Sequence, residues 1–223
     1  MHAVDAVGRV GAKNKLNPVK HADNPWSEWH SSKVDVEPEA CTLLDLIGPA
    51  PRRILDLGCG AGRHSRYFSS KGYEVYGVDL YSGLLEEVSK HVKRAAFAAW
   101  SPGGRLPFRD GVFHAVVATR SIHHGYASTV RQTLAEAARV LGSGGLMLLQ
   151  VPSYEAFVER NPSDVDWREP GTFIAGWGHE KGVPHHYFTR SEAETALDAS
   201  ELLMLHGPSD HYDGYCVIAR KTV

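Results

Sequence analysis

From residue 53 to residue 151 the chain alternates short apolar runs with amphipathic stretches of helical period. Residues 54–57, 74–79, 95–99, 112–118 and 146–151 are apolar runs of strand length, the third weaker than the rest. Between them, residues 63–70, 84–92 and 128–141 place apolar side chains three and four apart, which predicts helices. A further helix is predicted from Glu37 to about Ile47, where Ala40, Cys41, Leu43, Leu44 and Ile47 share a face and Gly48-Pro49 ends it. Strands that alternate with helices, with no hairpin signal between them, predict a parallel sheet joined by right-handed crossovers.

The last third reads differently. Residues 153–188 carry Phe157, Trp167, Phe173, Trp177 and Phe188, three prolines and three histidines, with no clear period. A stretch that long without periodicity inside a compact domain is usually functional, and it is expected to cap the carboxyl edge of the sheet. Residues 191–199 then read as a helix, and 201–205 and 215–219 as two strands. At the other end, residues 1–36 are expected to form a polar tail with a lid-like aromatic group, Trp26, Trp29 and His30, before a domain spanning 37–223.

Composition narrows the classes. With 43% hydrophobic and 22% charged residues over 223 positions, the chain has enough apolar surface for a core without metal or disulfide staples. Cys41, Cys59 and Cys216 are odd in number and far apart, and no CxxC occurs, so neither a disulfide framework nor a structural zinc site is indicated. Lys and Arg number 24 against 26 Asp and Glu, a net charge of −2 that provides no strong basic field for nucleic acid. No apolar run approaches the roughly 20 residues that span a bilayer, and the first residues contain no signal core. The expected setting is therefore cytoplasmic, with no membrane partner.

The strongest chemical signal is ILDLGCGAG, residues 54–62, followed by Asp79 at the end of the next strand. Glycines permit a tight strand-to-helix turn and close approach of backbone to a ligand. The following helix presents free N–H groups and a positive dipole end. A carboxylate at the next strand's tip can accept both hydroxyls of a ribose. Together these features specify a nucleoside-bearing ligand at the carboxyl edge. The loop is G-x-G-x-G (Gly58, Gly60, Gly62), which fits neither the dinucleotide G-x-G-x-x-G nor a phosphate-binding GxxxxGK[ST].

DLGCGAGRHSRYF and VYGVDL resemble the first two motifs of the class I S-adenosylmethionine-dependent methyltransferases, in particular the type 11 domain. LPFRDGVFHAVVATRSIHH resembles the segment through that family's fourth strand, and VLGSGGLMLLQVPS its fifth. The resemblance implies an α/β three-layer sandwich: a mostly parallel, seven-stranded, Rossmann-like sheet with helices on both faces. It also implies S-adenosyl-L-methionine as cofactor and S-adenosyl-L-homocysteine as product. On the same ground Asp56, Gly58, Cys59, Gly60 and Gly62 would line its methionine and ribose part. Asp79 would hold the ribose hydroxyls, with Leu80 near the adenine and Arg120 and Ser121 at the methionine end. The family often has an acidic residue after the third strand. Here Trp100 and Ser101 stand in that stretch, so adenine is expected to stack on Trp100.

Methyl transfer from a sulfonium needs acceptor and methyl held in line, and a base only where the acceptor must lose a proton. His124 is the first candidate for that base, matching a His of some small-molecule members, with His186 the second. Trp26, Trp29, His30, His123 and His185 are candidates for the acceptor side. The pairs His123-His124 and His185-His186 invite a metal reading, but adjacent strand residues point to opposite faces. Each pair would then offer one ligand, and no metal is expected. The leading expectation is transfer to O or N of a small-molecule acceptor. An RNA or protein acceptor, or a non-catalytic cofactor-binding module, are the alternatives.

Overall fold

The computed structural model describes residues 36–160, 165–176, 178, 180–208 and 212–222. Trp26, Trp29, His30 and the rest of the expected tail and lid lie outside the described residues.

In chain order, α1 (Pro38–Ile47) leads into β1 (Arg53–Leu57), α2 (Arg63–Ser70), β2 (Glu74–Asp79) and α3 (Ser82–His91). Then follow β3 (Ala95–Ala99), β4 (Phe113–Thr119), α4 (Ala127–Val140) and β5 (Leu141–Pro152). The sheet order is β3-β2-β1-β4-β5-β10-β9, where β9 is Ser200–His206 and β10 is Gly214–Lys221. The first five strands in that order are parallel, and β10 runs antiparallel to both β5 and β9. The expected seven-stranded α/β sandwich is what forms.

Strand periodicity divides the core in two. Ile54, Val75, Ala115, Val117, Leu146 and Leu148 face Ala40, Leu43 and Ile47 of α1 and Phe68 of α2. Their neighbours Leu55, Val78, Val116, Met147 and Leu149 face Val130, Ala137 and Val140 of α4 on the other side. Successive side chains on a strand alternate between faces. Central strands covered on both faces therefore read as continuous apolar runs, which is how β4 and β5 appear in the sequence.

The chain leaves β1 toward β2 on one side and returns to β4 on the other, so the strand order reverses at β1. The carboxyl ends of β1 and β4 flank the crevice where ligands of open α/β sheets bind. Gly62 precedes α2 with φ +76°, and a Cβ there would collide with Val88 of α3. This glycine is required by packing of the α2 start against α3.

The aperiodic segment is more regular than its sequence suggests. It contains α5 (Tyr154–Arg160) and a small antiparallel sheet of β6 (Trp167–Glu169), β7 (Thr172–Ile174) and β8 (Pro184–His186). Phe157 stacks on Phe173 with centroids 4.9 Å apart, and Tyr187 meets Phe157 edge-on at 4.7 Å. Trp167 closes the group against Phe173 at 5.6 Å. These aromatics are the segment's own small core. After it, α6 (Arg190–Glu194) is shorter than the expected 191–199 helix. A Thr189–Glu192 capping box starts it, and Ala199 at φ 49° turns the chain into β9.

Replacing Gly62 by Ala combines left-handed backbone strain with overpacking against Val88. It is expected to lower stability by about 2–4 kcal/mol in urea unfolding.

Candidate functional site

The loops after the first four strands interlock. The N–H groups of Gly58 and Cys59 both donate to the Val78 carbonyl, at 2.8 and 3.0 Å. Ser121 Oγ donates to the Leu57 carbonyl at 2.7 Å, and any Cβ on Gly58 would strike the Ser121 side chain. Trp100 N–H donates to the Asp79 carbonyl at 2.8 Å. Asp79 Oδ2 accepts from Gly60 N–H at 2.8 Å and Oδ1 from Tyr81 N–H at 3.0 Å. Burial pushes the Asp79 carboxyl up from the usual carboxylate range, against the pull of those N–H groups. Each oxygen keeps a further lone pair.

These loops wall a cavity of about 410 Å³. Leu57, Gly58 and Gly60 form its floor, and Asp79, Leu80, Tyr81 and Leu84 one side. Trp100 and Pro102 also line it, with the indole N–H donating to the Gly104 carbonyl at 3.0 Å. Arg120, Ser121, Ile122 and His124 form the opposite wall, and Gly182, Val183 and Pro184 of the cap complete it. A Cβ on Gly60 would meet nothing within 4 Å. Gly60 is therefore the glycine that leaves space for a ligand, whereas Gly58 and Gly62 are needed for packing.

Several expected site residues stand elsewhere. Asp56, Cys59, Gly62 and Ser101 do not line the cavity. The Asp56 carboxylate is buried under the loop, where it accepts from Ser65 Oγ at 2.6 Å and is pushed up by burial. His186 faces away: its Nδ1 meets Thr172 Oγ1 at 2.8 Å and its Nε2 lies 3.5 Å from Glu192. It lines a separate groove with residues of α4 and α6, because neighbouring positions on β8 point to opposite faces. His186 therefore stands outside the cavity that His124 lines.

His123 and His185 lie one layer behind His124. The cap is bonded to this turn, with His186 N–H donating to the His123 carbonyl at 2.8 Å and His124 bridging His185. The expectation that each His-His pair offers one ligand fails for the first pair. His123 and His124 follow β4 in a turn, so both rings lie together, with centroids 3.9 Å apart. Burial, and then the neighbouring His124 and His185, hold His123 well below its ordinary pKa.

Two acidic residues that sequence reasoning did not single out shape the rim. Glu180 sits between His124 and His185, 3.3 and 3.0 Å from their Nε2 atoms. Its only sequence signal is its place five residues before His185. Glu37, just ahead of α1, accepts from Arg63 at 2.7 Å and meets His64 Nε2 at 2.8 Å, with Arg120 at 3.7 Å. Burial would raise its carboxyl, but the bond to His64, that ring's charge and Arg63 outweigh it and hold Glu37 at about 2. Arg120, at φ 52°, also donates to Gln150 Oε1 at 3.1 Å and lies over the Tyr212 ring.

A parallel α/β sheet with an acid-tethered glycine loop at its reversal point is the arrangement of a nucleoside-cofactor transferase. Residues 55–149 match the family model described as methyltransferase domain. Over those residues the chain is thus similar to the class I S-adenosylmethionine-dependent methyltransferases. It is 30% identical over 160 residues to the malonyl-[acyl-carrier protein] O-methyltransferase of Geobacter sulfurreducens, covering 70% of this chain and 57% of that protein. With the demethylmenaquinone methyltransferase of Beutenbergia cavernae it shares 33% over 162 residues, 63% of this chain and 65% of the relative. Methyltransferases named for 18S rRNA and tRNA also match. The chain therefore spans less than two thirds of the length of these curated relatives. Its fold is that of a solved Methanosarcina mazei S-adenosylmethionine-dependent methyltransferase. The TM-score is 0.69 at 24% identity, over 85% of this chain and 99% of that one.

A carboxylate depressed from 4.5 to about 2 on folding contributes stability above its unfolded value and loses it as pH falls toward 2. The contribution of Glu37 is at most about 3 kcal/mol. The Glu37→Gln variant should be less stable than the parent at pH 7, and in thermal melts the gap should narrow below about pH 4.5 and close only near pH 2.

Proposed function

We propose that the chain transfers the methyl group of S-adenosyl-L-methionine to an oxygen or nitrogen of a small-molecule acceptor. The observation that carries the reading is the Asp79 carboxylate on the wall of the cavity, tethered to Gly60 on its floor. Its remaining lone pairs suit a ribose diol, Leu80 and Trp100 form the walls for adenine, and Gly58, Arg120 and Ser121 take the methionine end. The bound cofactor supplies an already activated methyl group. The chain's own part is to align an acceptor with it and to exclude water.

The acceptor side is the wall made by Ile122, His124 and residues 182–184 of the cap. His124 Nδ1 donates to the Ser121 carbonyl at 2.9 Å, which leaves Nε2 as the basic nitrogen. An acceptor that must lose a proton gives it to that atom, and Glu180 beside it steadies the resulting imidazolium. A cap wall this close to the cavity favours a small acceptor over a folded RNA or protein, as does the net charge of −2.

The test is methyl transfer from labelled S-adenosylmethionine into a cell extract fractionated into small molecules, RNA and protein. Label is expected in the small-molecule fraction, and His124→Ala should slow its incorporation by about 10²-fold or more. Label confined to RNA or protein would overturn the acceptor class. Incorporation untouched in His124→Ala would remove the base.

A further inference from the structure

Outside the cofactor region, the most unusual cluster is the group of imidazoles behind the acceptor wall. Ring nitrogens of His123, His124 and His185 all lie within 4.8 Å of one another. His124 Nδ1 donates to the Ser121 carbonyl at 2.9 Å and His185 Nδ1 to the Val183 carbonyl at 2.9 Å. Both rings are thereby oriented with Nε2 turned away from the backbone. Both Nε2 atoms point at one carboxylate, Glu180, whose two oxygens lie 3.3 and 3.0 Å away. Such a carboxylate joins the two rings either through protons on Nε2 or through a cation held between them.

His123 supplies an independent observation. It is 9% exposed, and its Nδ1 is buried with no hydrogen-bond partner. Buried polar atoms are almost always paired, so an orphan ring nitrogen packed against two other imidazoles marks a place for a ligand. Imidazole that donates its second N–H to a backbone carbonyl is the usual outer support of a metal-binding histidine. Three imidazole nitrogens, two of them so supported, beside one carboxylate suit zinc or a neighbouring first-row ion. They do not suit magnesium or calcium, which prefer oxygen.

We propose that His123, His124, His185 and Glu180 form a binding site for a divalent transition-metal ion of the zinc type. The site joins the turn after β4 to the cap. An ion there would fasten the cap over the cavity. It would also take the His124 Nε2 lone pair, making the ion and an acceptor's proton alternatives at one atom. The site itself is independent of the methyl-transfer reading, because ion binding needs neither cofactor nor acceptor.

The experiment uses the full chain without an affinity tag, dialysed free of metal. Zn²⁺ is titrated in competition with a chromophoric chelator, and Co²⁺ in parallel for its visible spectrum. One equivalent of Zn²⁺ per chain is expected, with a Co²⁺ spectrum of low-coordinate nitrogen–oxygen type and a raised melting temperature. Glu180→Gln and His123→Phe should each weaken binding at least about 10-fold. The phenylalanine refills the buried volume, and circular dichroism verifies the fold of both variants. No saturable equivalent, or equal affinity in both folded variants, would overturn the proposal. Absence of methyl transfer by the metal-free chain, with zinc binding intact, would instead count against the function proposed above.

Discussion

Asp79 ties together the loops after β1, β2 and β3. One carboxylate oxygen takes the Gly60 N–H from the loop after β1, the other the Tyr81 N–H from the loop after β2. The backbone carbonyl of the same residue receives Trp100 from the loop after β3. The carboxylate thereby fixes the backbone that forms the cavity floor and keeps lone pairs directed at what enters. Glycine 58 lets the turn after β4 approach that floor, with Ser121 locked onto the Leu57 carbonyl. The rest of the sheet serves to bring four strand ends to one place.

Much of this was legible in the sequence because it follows from local rules. Apolar runs alternating with 3.6-period stretches define a parallel sheet, and the strand order follows from right-handed crossovers. The glycine loop and Asp79 are separated by a helix and a strand, so their meeting depends only on that unit. The resemblance of the motifs to the methyltransferase family, rather than local pattern, placed Trp100 and Arg120 at the cavity. Local pattern could not separate the glycines by role, because Gly62 answers to Val88 and Gly60 to empty space, neither of which is local. Asp56 likewise reads as a site acid, yet Ser65 holds it beneath the loop.

The cap was least legible. Its aromatic residues are spaced by turns rather than by a repeat, and they pack on one another. Phe157, Phe173 and Tyr187 thus make a small core that no period in the sequence announces. The histidine pairs mislead in opposite ways. On β8, period two sends His185 and His186 to different sides, whereas the turn after β4 brings His123 and His124 together. Glu180, in the loop just ahead of β8, completes that cluster and gives the sequence almost no sign of it. Pairing through His123, His124, His185 and His186 then carries the cap to the carboxyl edge.

The central claim is that the carboxylate tethering the glycine loop also receives the ribose of the cofactor. Isothermal titration of S-adenosylhomocysteine against the parent chain and Asp79→Ala tests it directly, without an acceptor. Loss of two charge-assisted hydrogen bonds should weaken binding by at least about 100-fold, with the variant still folded. Equal affinity in the two proteins would contradict the account.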